Sequence, residues 1–350
     1  MDTNNNTTAV ACESHTAFTA GVLKRLLQEE EKKFEILKNK YTGCMLGAAI
    51  GDALGKQNEG VRRKEILKMG YIKDYGRAPT GSPGEKLRAG QYTDDTEQML
   101  VLAQSLIAFN GFKAVDFANS IAKWGVKVRN DPSRSPFLGP SSSSAIEKLN
   151  SGISWKESGS DIPSCGSAMR VAPIGLFYDC LENVESNAVL SSIPTHKSKG
   201  AIAGAVAVAV AVRCSLDGFD RHEIIRQTCE RASNYDIGFA TKIELAYESR
   251  NEMPDMVFDR LGTSYYVYDT VPCAFYCFSR YFDDPEMAII ESVNAGGDTD
   301  SIGCITGALC GALHGIERFS KKWINGLENK DLVENIATMI YGKTQGLIRT

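Results

Sequence analysis

Glycine recurs at every fourth position in two stretches of this 350-residue chain, as Gly43, Gly47, Gly51 and Gly55 and again as Gly303, Gly307, Gly311 and Gly315. At 3.6 residues per turn, that spacing puts each set on one helical face and leaves the face as bare backbone. A glycine inside a helix costs about 1 kcal/mol relative to alanine, so each stripe needs a compensating gain. Close approach of another helix supplies one. Such stripes are familiar from membrane helices, but Asp52 interrupts the first and the surrounding apolar runs are short. The reading is therefore a buried packing seam, and its consequence is rigidity for whatever adjoins it. The first stripe leads into Glu59, and the second directly follows Asp298, Asp300 and Ser301.

Helical periodicity dominates from Tyr41 onward, over 43–55, 96–109, 114–128, 142–149, 168–178, 200–215, 221–233, 236–250, 269–281, 285–293, 301–317 and a C-terminal region from 318. Convincing period-two strands are nearly absent, so the expected class is all-α, a compact single-domain helical globule over 41–350. Residues 1–40 read as an N-terminal extension, with a disordered start over 1–10 and an amphipathic helix over 21–40. Residues 60–92 are basic, then rich in Gly and Pro, and read as a mobile loop. The most apolar run, Ala201 to Val212, is too short for the roughly 20 residues of a bilayer span and reads as a core helix.

Net charge of −4 and a pI near 5.7 argue against a protein that grips duplex nucleic acid or an anionic membrane. The ten cysteines form no CxxC pairs, which disfavours a zinc ribbon. Most lie in apolar stretches, as in a protein of a reducing compartment. The polar N-terminus lacks the layout of a secretory signal, and the expected location is cytoplasmic. No heptad seam is sustained, so a monomer is expected.

Two acidic clusters about two hundred residues apart, Thr93-Asp94-Asp95-Thr96 and Gly296-Gly297-Asp298-Thr299-Asp300-Ser301, each run into a helical pattern. Asp, Ser and Thr at a helix start are ordinary N-caps, and Asp94 with Glu97 has capping-box spacing. A cap, however, needs one side chain, whereas alternating carboxylates repel one another unless a cation neutralises them. An all-oxygen donor set suits a hard divalent ion. Asp52 reads either as a group orienting a ligand or as a polar anchor tying helix to loop. The Ser164–Arg170 turn leads into a helix start, a geometry that offers N–H groups to an anion.

Together these motifs resemble the ADP-ribosylglycohydrolase family, typified by the enzyme that reactivates dinitrogenase reductase. The resemblance rests on GCMLGAAIGDALGKQNEG at 43–60, TDDT at 93–96, CGSAMRVAPIGL at 165–176, TH at 195–196 and GGDTDSIGCITGAL at 296–309, in the family's order. It implies an all-helical catalytic domain over 41–350 with a binuclear Mg²⁺ centre, Mn²⁺ being possible, at the bottom of a cleft for ADP-ribose. Thr93, Asp94 and Asp95 match one metal-ligand group, and Asp298, Asp300 and Ser301 the other, with Ser301 where many members have Thr. Ser164, Cys165, Gly166, Ser167 and His196 match substrate-binding positions. Cys165 stands where Asn is common, which puts one ribose or phosphate hydrogen bond in doubt.

The implied activity is hydrolysis of the glycosidic bond between ADP-ribose and a protein side chain or small acceptor, with Glu59, Asp95 and Asp300 as the catalytic carboxylates. The implied partner is an ADP-ribosylated protein or an ADP-ribose-containing small molecule. Arginine, serine, polymer and ester linkages stay open, and specificity is expected in residues 60–92 and 125–165. Two other readings remain at this point: a non-hydrolytic ADP-ribose sensor, and a silent homologue resembling the lens crystallins.

Overall fold

The computed structural model describes the backbone of residues 6–348 and the side chains of residues 27–348. Its helices begin with α1 (Asn6–Gly55), α2 (Arg63–Met69), α3 (Asp94–Phe109), α4 (Ala114–Arg129), α5 (Pro140–Asn150), α6 (Trp155–Ser158), α7 (Ala172–Phe177) and α8 (Leu181–Ser192). They continue with α9 (Lys199–Leu216), α10 (Arg221–Ser233), α11 (Ile237–Glu248), α12 (Pro254–Leu261), α13 (Val267–Arg280), α14 (Pro285–Val293), α15 (Thr299–His314), α16 (Lys321–Gly326) and α17 (Lys330–Thr344). Among the described residues there is no sheet, only two isolated bridges, Ser160 with His196 and Ser164 with Tyr266.

The two glycine stripes meet. A Cβ on Gly43 would lie 2.6 Å from the Gly311 carbonyl oxygen. Cβ atoms on Gly47, Gly51 and Gly55 would strike the carbonyls of Gly307, Gly303 and Thr299 in turn. As one register number rises the other falls, so α1 and α15 run antiparallel with their backbones in direct contact. Gly315 ends the seam as the C-cap of α15, at φ +78°, and a Cβ on Gly43 would lie 2.6 Å from its carbonyl carbon.

α1 is longer than the periodicity predicts, joining the expected 21–40 helix to the 43–55 helix without a break. Of the expected disordered start, residues 1–5 lie outside the described residues, and from Asn6 the backbone is helical. Residues 27–36 of α1 are exposed, whereas 41–55 are buried throughout. α9 occupies the centre of the core, with every residue from Ala203 to Leu216 buried. By length and composition alone it is apolar enough to cross a membrane, and burial among α7, α8, α10 and α15 accounts for that composition.

The 60–92 segment is more ordered than its composition implies. It contains α2, and Arg63 donates 2.8 Å hydrogen bonds to Glu291 Oε1 and to the Asn294 carbonyl.

Candidate metal centre and binding cleft

The seam delivers the start of α15 beside the end of α1. Gly296 and Gly297 precede Asp298 at φ +88° and +71°, in the left-handed region that favours glycine. The approach there is close, since a Cβ on Gly296 would lie 2.5 Å from the Arg63 nitrogen. The Gly60 N–H donates to the Gly297 carbonyl at 2.9 Å, and the Gly297 N–H donates to Val61 at 3.0 Å. This pairing fixes the residue after Glu59 against the turn before Asp298. Oxygens of Glu59, Asp298 and Asp300 consequently lie within 4.8 Å of one another.

The other cluster is held by Asp52, which is wholly buried on α1. Its carboxylate accepts the Thr93 N–H at 2.9 Å, the Thr96 N–H at 3.0 Å and the Thr96 hydroxyl at 2.6 Å. Asp52 is thus the anchor tying α1 to the first turn of α3. The N-cap of α3 is Thr93, whose hydroxyl accepts from the Asp95 N–H at 3.4 Å. The capping-box reading of Asp94 and Glu97 does not hold. Glu97 instead pairs with Arg134 at 2.7 Å and accepts from the Trp124 indole at 2.9 Å.

Burial, and then mutual repulsion, raises these carboxyl groups. Asp94 and Asp95 are held well above the usual carboxylate range by burial and then by Asp300. Glu59 is raised by burial and by Asp300 and Asp298. Burial and the neighbouring Asp298 push Asp300 up to about 7. Burial raises Asp52 to about 6, against the opposing pull of its Thr96 and Thr93 donors. Concentrating carboxylates without a cation in the protein is unfavourable, and two of their atoms, Glu59 Oε2 and Asp95 Oδ2, are shut from solvent with no hydrogen-bond partner. These orphaned oxygens and the all-oxygen donor set fit a hard divalent cation.

The carboxylates line a solvent-open cleft with a cavity volume of about 230 Å³, at the small end of small-molecule sites. Glu59, Asp94, Asp95, Asp298, Asp300, Ser301, Ser164, Cys165, Gly166 and His196 line it. Thr93 and Ser167 do not. Thr93 spends its hydroxyl on the α3 cap, and Ser167 donates away from the cleft to the Ala201 carbonyl at 3.1 Å. The Cys165 thiol donates to Asp298 Oδ2 at 3.2 Å, so it faces the acidic cluster. The second oxygen-rich half is thereby edged with sulfur, since Ser301 Oγ also lies 3.8 Å from Met169 Sδ.

His196 is buried and meets the Thr195 hydroxyl through Nδ1 at 2.8 Å. Burial and the nearby Arg170 push its pKa down to about 3, so the ring is neutral near pH 7.

Phe137, Ser141, Ser142 and Ile162 fall in the 125–165 stretch expected to carry specificity and Met169 in the 164–170 turn, none of them singled out, while Tyr265 was missed altogether. The Pro-Ser run at 140–144 was a readable helix start. Tyr265, half-exposed and stacked on Tyr266 with ring centroids 4.7 Å apart, had only its aromatic doublet as a signal.

Comparison with known proteins agrees with this architecture. The family model described as ADP-ribosylglycohydrolase matches residues 34–348. An uncharacterised protein of Archaeoglobus fulgidus is 39% identical over 311 residues, covering 87% of this chain and 97% of that protein. The human ADP-ribosylhydrolase ARH3 is 29% identical over 352 residues, covering 87% and 94% respectively. A solved structure described as an ADP-ribosylglycohydrolase-related protein complex superposes with a TM-score of 0.75 at 25% identity, covering 89% of this chain and 99% of that one.

Proposed function

The chain belongs to the ADP-ribosylglycohydrolase family, and we propose that it hydrolyses the glycosidic bond between an ADP-ribosyl group and an acceptor, releasing ADP-ribose. The observation that carries this reading is the convergence of Glu59, Asp298 and Asp300 within 4.8 Å at the floor of the cleft. Thr93, Asp94, Asp95, Asp298, Asp300 and Ser301 are the residues that would hold two Mg²⁺ ions, or Mn²⁺, Thr93 also capping the turn that carries the next two. Bound there, the cation supplies a charge that orients hydroxyl groups and water.

The remaining work falls to the chain's own groups. Glycoside hydrolysis passes through an oxocarbenium-like transition state, and the carboxylates at the cleft floor face the charge that develops. Glu59 is assigned the proton of the attacking water or of the leaving group, with Asp95 and Asp300 next in line. Ser164, Cys165, Gly166 and His196 form the wall against which ADP-ribose is placed. The acceptor extends along Pro83, Phe137, Ile162 and Tyr265, which line the same cleft. The substrate is accordingly an ADP-ribosylated protein or an ADP-ribose-containing small molecule.

We read the active unit as a cytoplasmic monomer with its catalytic domain over 41–350. The nine described cysteines, all free, are compatible with a reducing compartment.

The test is Glu59→Gln, which keeps size and removes the ionisable group. Its turnover should fall at least about 100-fold in variant protein that is folded and saturated with Mn²⁺. Near-normal turnover in the folded, metal-loaded variant overturns the assignment.

A further inference from the structure

Among the described residues Arg170 is the largest fully buried side chain, and no carboxylate among them pairs with it directly. Its Nη1 donates to Gln98 Oε1 at 2.6 Å, and its Nη2 donates to the Thr195 hydroxyl at 2.5 Å and to the Ser191 carbonyl at 3.2 Å. The guanidinium also lies 5.1 Å from the centre of the Phe117 ring. Isolating a cation in this way is costly, although burial lowers its pKa only to about 9, which leaves it charged near pH 7.

Two side-chain chains radiate from it, and each reaches the cleft. On one side Gln98 Nε2 donates to Asp94 Oδ2 at 2.7 Å. On the other the Thr195 hydroxyl meets His196 Nδ1 at 2.8 Å.

Arginine has donors and no acceptor, and that asymmetry sets the direction of every bond in both chains. Gln98 must turn its oxygen toward Arg170, which leaves its NH₂ for Asp94 and requires an accepting carboxylate oxygen there. The Thr195 oxygen accepts from Arg170, so its single proton needs an acceptor. Among the described partners of that hydroxyl, only His196 Nδ1 can take it. A neutral imidazole whose Nδ1 accepts carries its proton on Nε2. That nitrogen is on the cleft side of the ring, near enough to Gly166 that a Cβ there would lie 2.8 Å from it.

We infer that Arg170 is a positioning residue that fixes His196 as a neutral Nε2–H donor to an acceptor atom of the bound ligand, and through Gln98 holds the Asp94 carboxyl group in place. His196 therefore recognises an oxygen or ring nitrogen and transfers no proton. The tautomer is a property of the ligand-free protein and stands apart from the hydrolase reading; only the ADP-ribose and Mn²⁺ affinities below rest on it.

The test is nitrogen NMR of protein labelled with ¹⁵N-histidine, with His196 assigned by the signals missing in His196→Gln. The free protein should show a protonated Nε2 and an unprotonated Nδ1. Thr195→Val, which keeps shape and removes the hydroxyl, should abolish that preference and weaken ADP-ribose binding about tenfold, with Mn²⁺ affinity unchanged. Thr195→Ser should restore both. Gln98→Ala should weaken Mn²⁺ binding about tenfold or more while the His196 tautomer persists. Arg170→Lys, a point charge without the planar fork, should disturb both readouts together, and if it does not fold the Thr195 and Gln98 variants carry the test. A protonated Nδ1 in the unmodified protein, or an Nε2–H tautomer that survives Thr195→Val, overturns the inference.

Discussion

Asp52 on α1 accepts the Thr96 hydroxyl of α3 at 2.6 Å, and through that bond the glycine seam and the first acidic cluster become one rigid unit. The same carboxylate takes the Thr93 and Thr96 N–H groups, so it serves the first turn of α3 from outside the helix. Asp52→Ala leaves those donors buried and unpaired. It should lower stability by on the order of 3 kcal/mol and weaken Mn²⁺ binding, measured by urea denaturation and by calorimetric titration. Unaltered stability would remove Asp52 from this role.

The seam itself admits no side chain. Gly307→Ala places a methyl group against the Gly47 carbonyl, and the helices must separate to receive it. We expect a loss of at least about 2 kcal/mol and weaker metal binding, because α1 and α15 carry opposite sides of the site. Alanine elsewhere gives the control: Gly152 sits at φ +84° with open space around it, so its substitution strains the backbone without touching the seam.

Much of this was legible before any coordinates. Stripes such as Gly43–Gly55 are readable because a bare helical face has few uses, and TDDT and GGDTDS because adjacent carboxylates are unfavourable unless something neutralises them. α8 was missed because its buried face is Val184, Ala188, Ser191 and Ser192, half of it serine, which mimics a polar segment. α12, Pro254–Leu261, was missed because eight residues give too little periodicity. The partners of Arg170 were illegible for a different reason: Gln98 and Thr195 lie 72 and 25 residues away, and no local pattern marks their meeting. The same holds for Cys165 against Asp298, 133 residues apart.

Arg63 ties the 60–92 segment to the core through Glu291, with 11% and 5% of the two side chains exposed. Arg63→Ala strands a buried carboxylate, which typically costs about 3 kcal/mol or more. Urea denaturation should show that loss, and Glu291→Gln in the same background should recover part of it. No recovery would mean that Arg63 acts through its other contacts, the Asn294 carbonyl and the Phe258 ring, whose centre is 4.8 Å away.

Acidity should govern metal binding. Asp300 and Asp52 are raised to about 7 and about 6, above unfolded values near 4. Groups raised in this way contribute stability that is fully present below about pH 4 and is lost as pH rises through about 6 to 7. The metal-free protein should therefore lose this contribution across that window, while a divalent cation replaces the protons. The rise in melting temperature on adding Mg²⁺ should be larger at pH 8 than at pH 5.5. An equal rise at both would place the ion away from these carboxylates.

The central claim is that two distant acidic clusters form one hydrolytic metal site. The most direct measurement is release of free ADP-ribose from arginine-linked, serine-linked, polymeric and acetyl-ester substrates, with Mg²⁺ and with chelator, for the unmodified protein and Asp300→Ala. The account predicts Mg²⁺-dependent release from at least one linkage, abolished by chelator and by Asp300→Ala. No release from any linkage by folded, metal-loaded protein that still binds ADP-ribose would contradict it and make the cleft a binding site without hydrolysis.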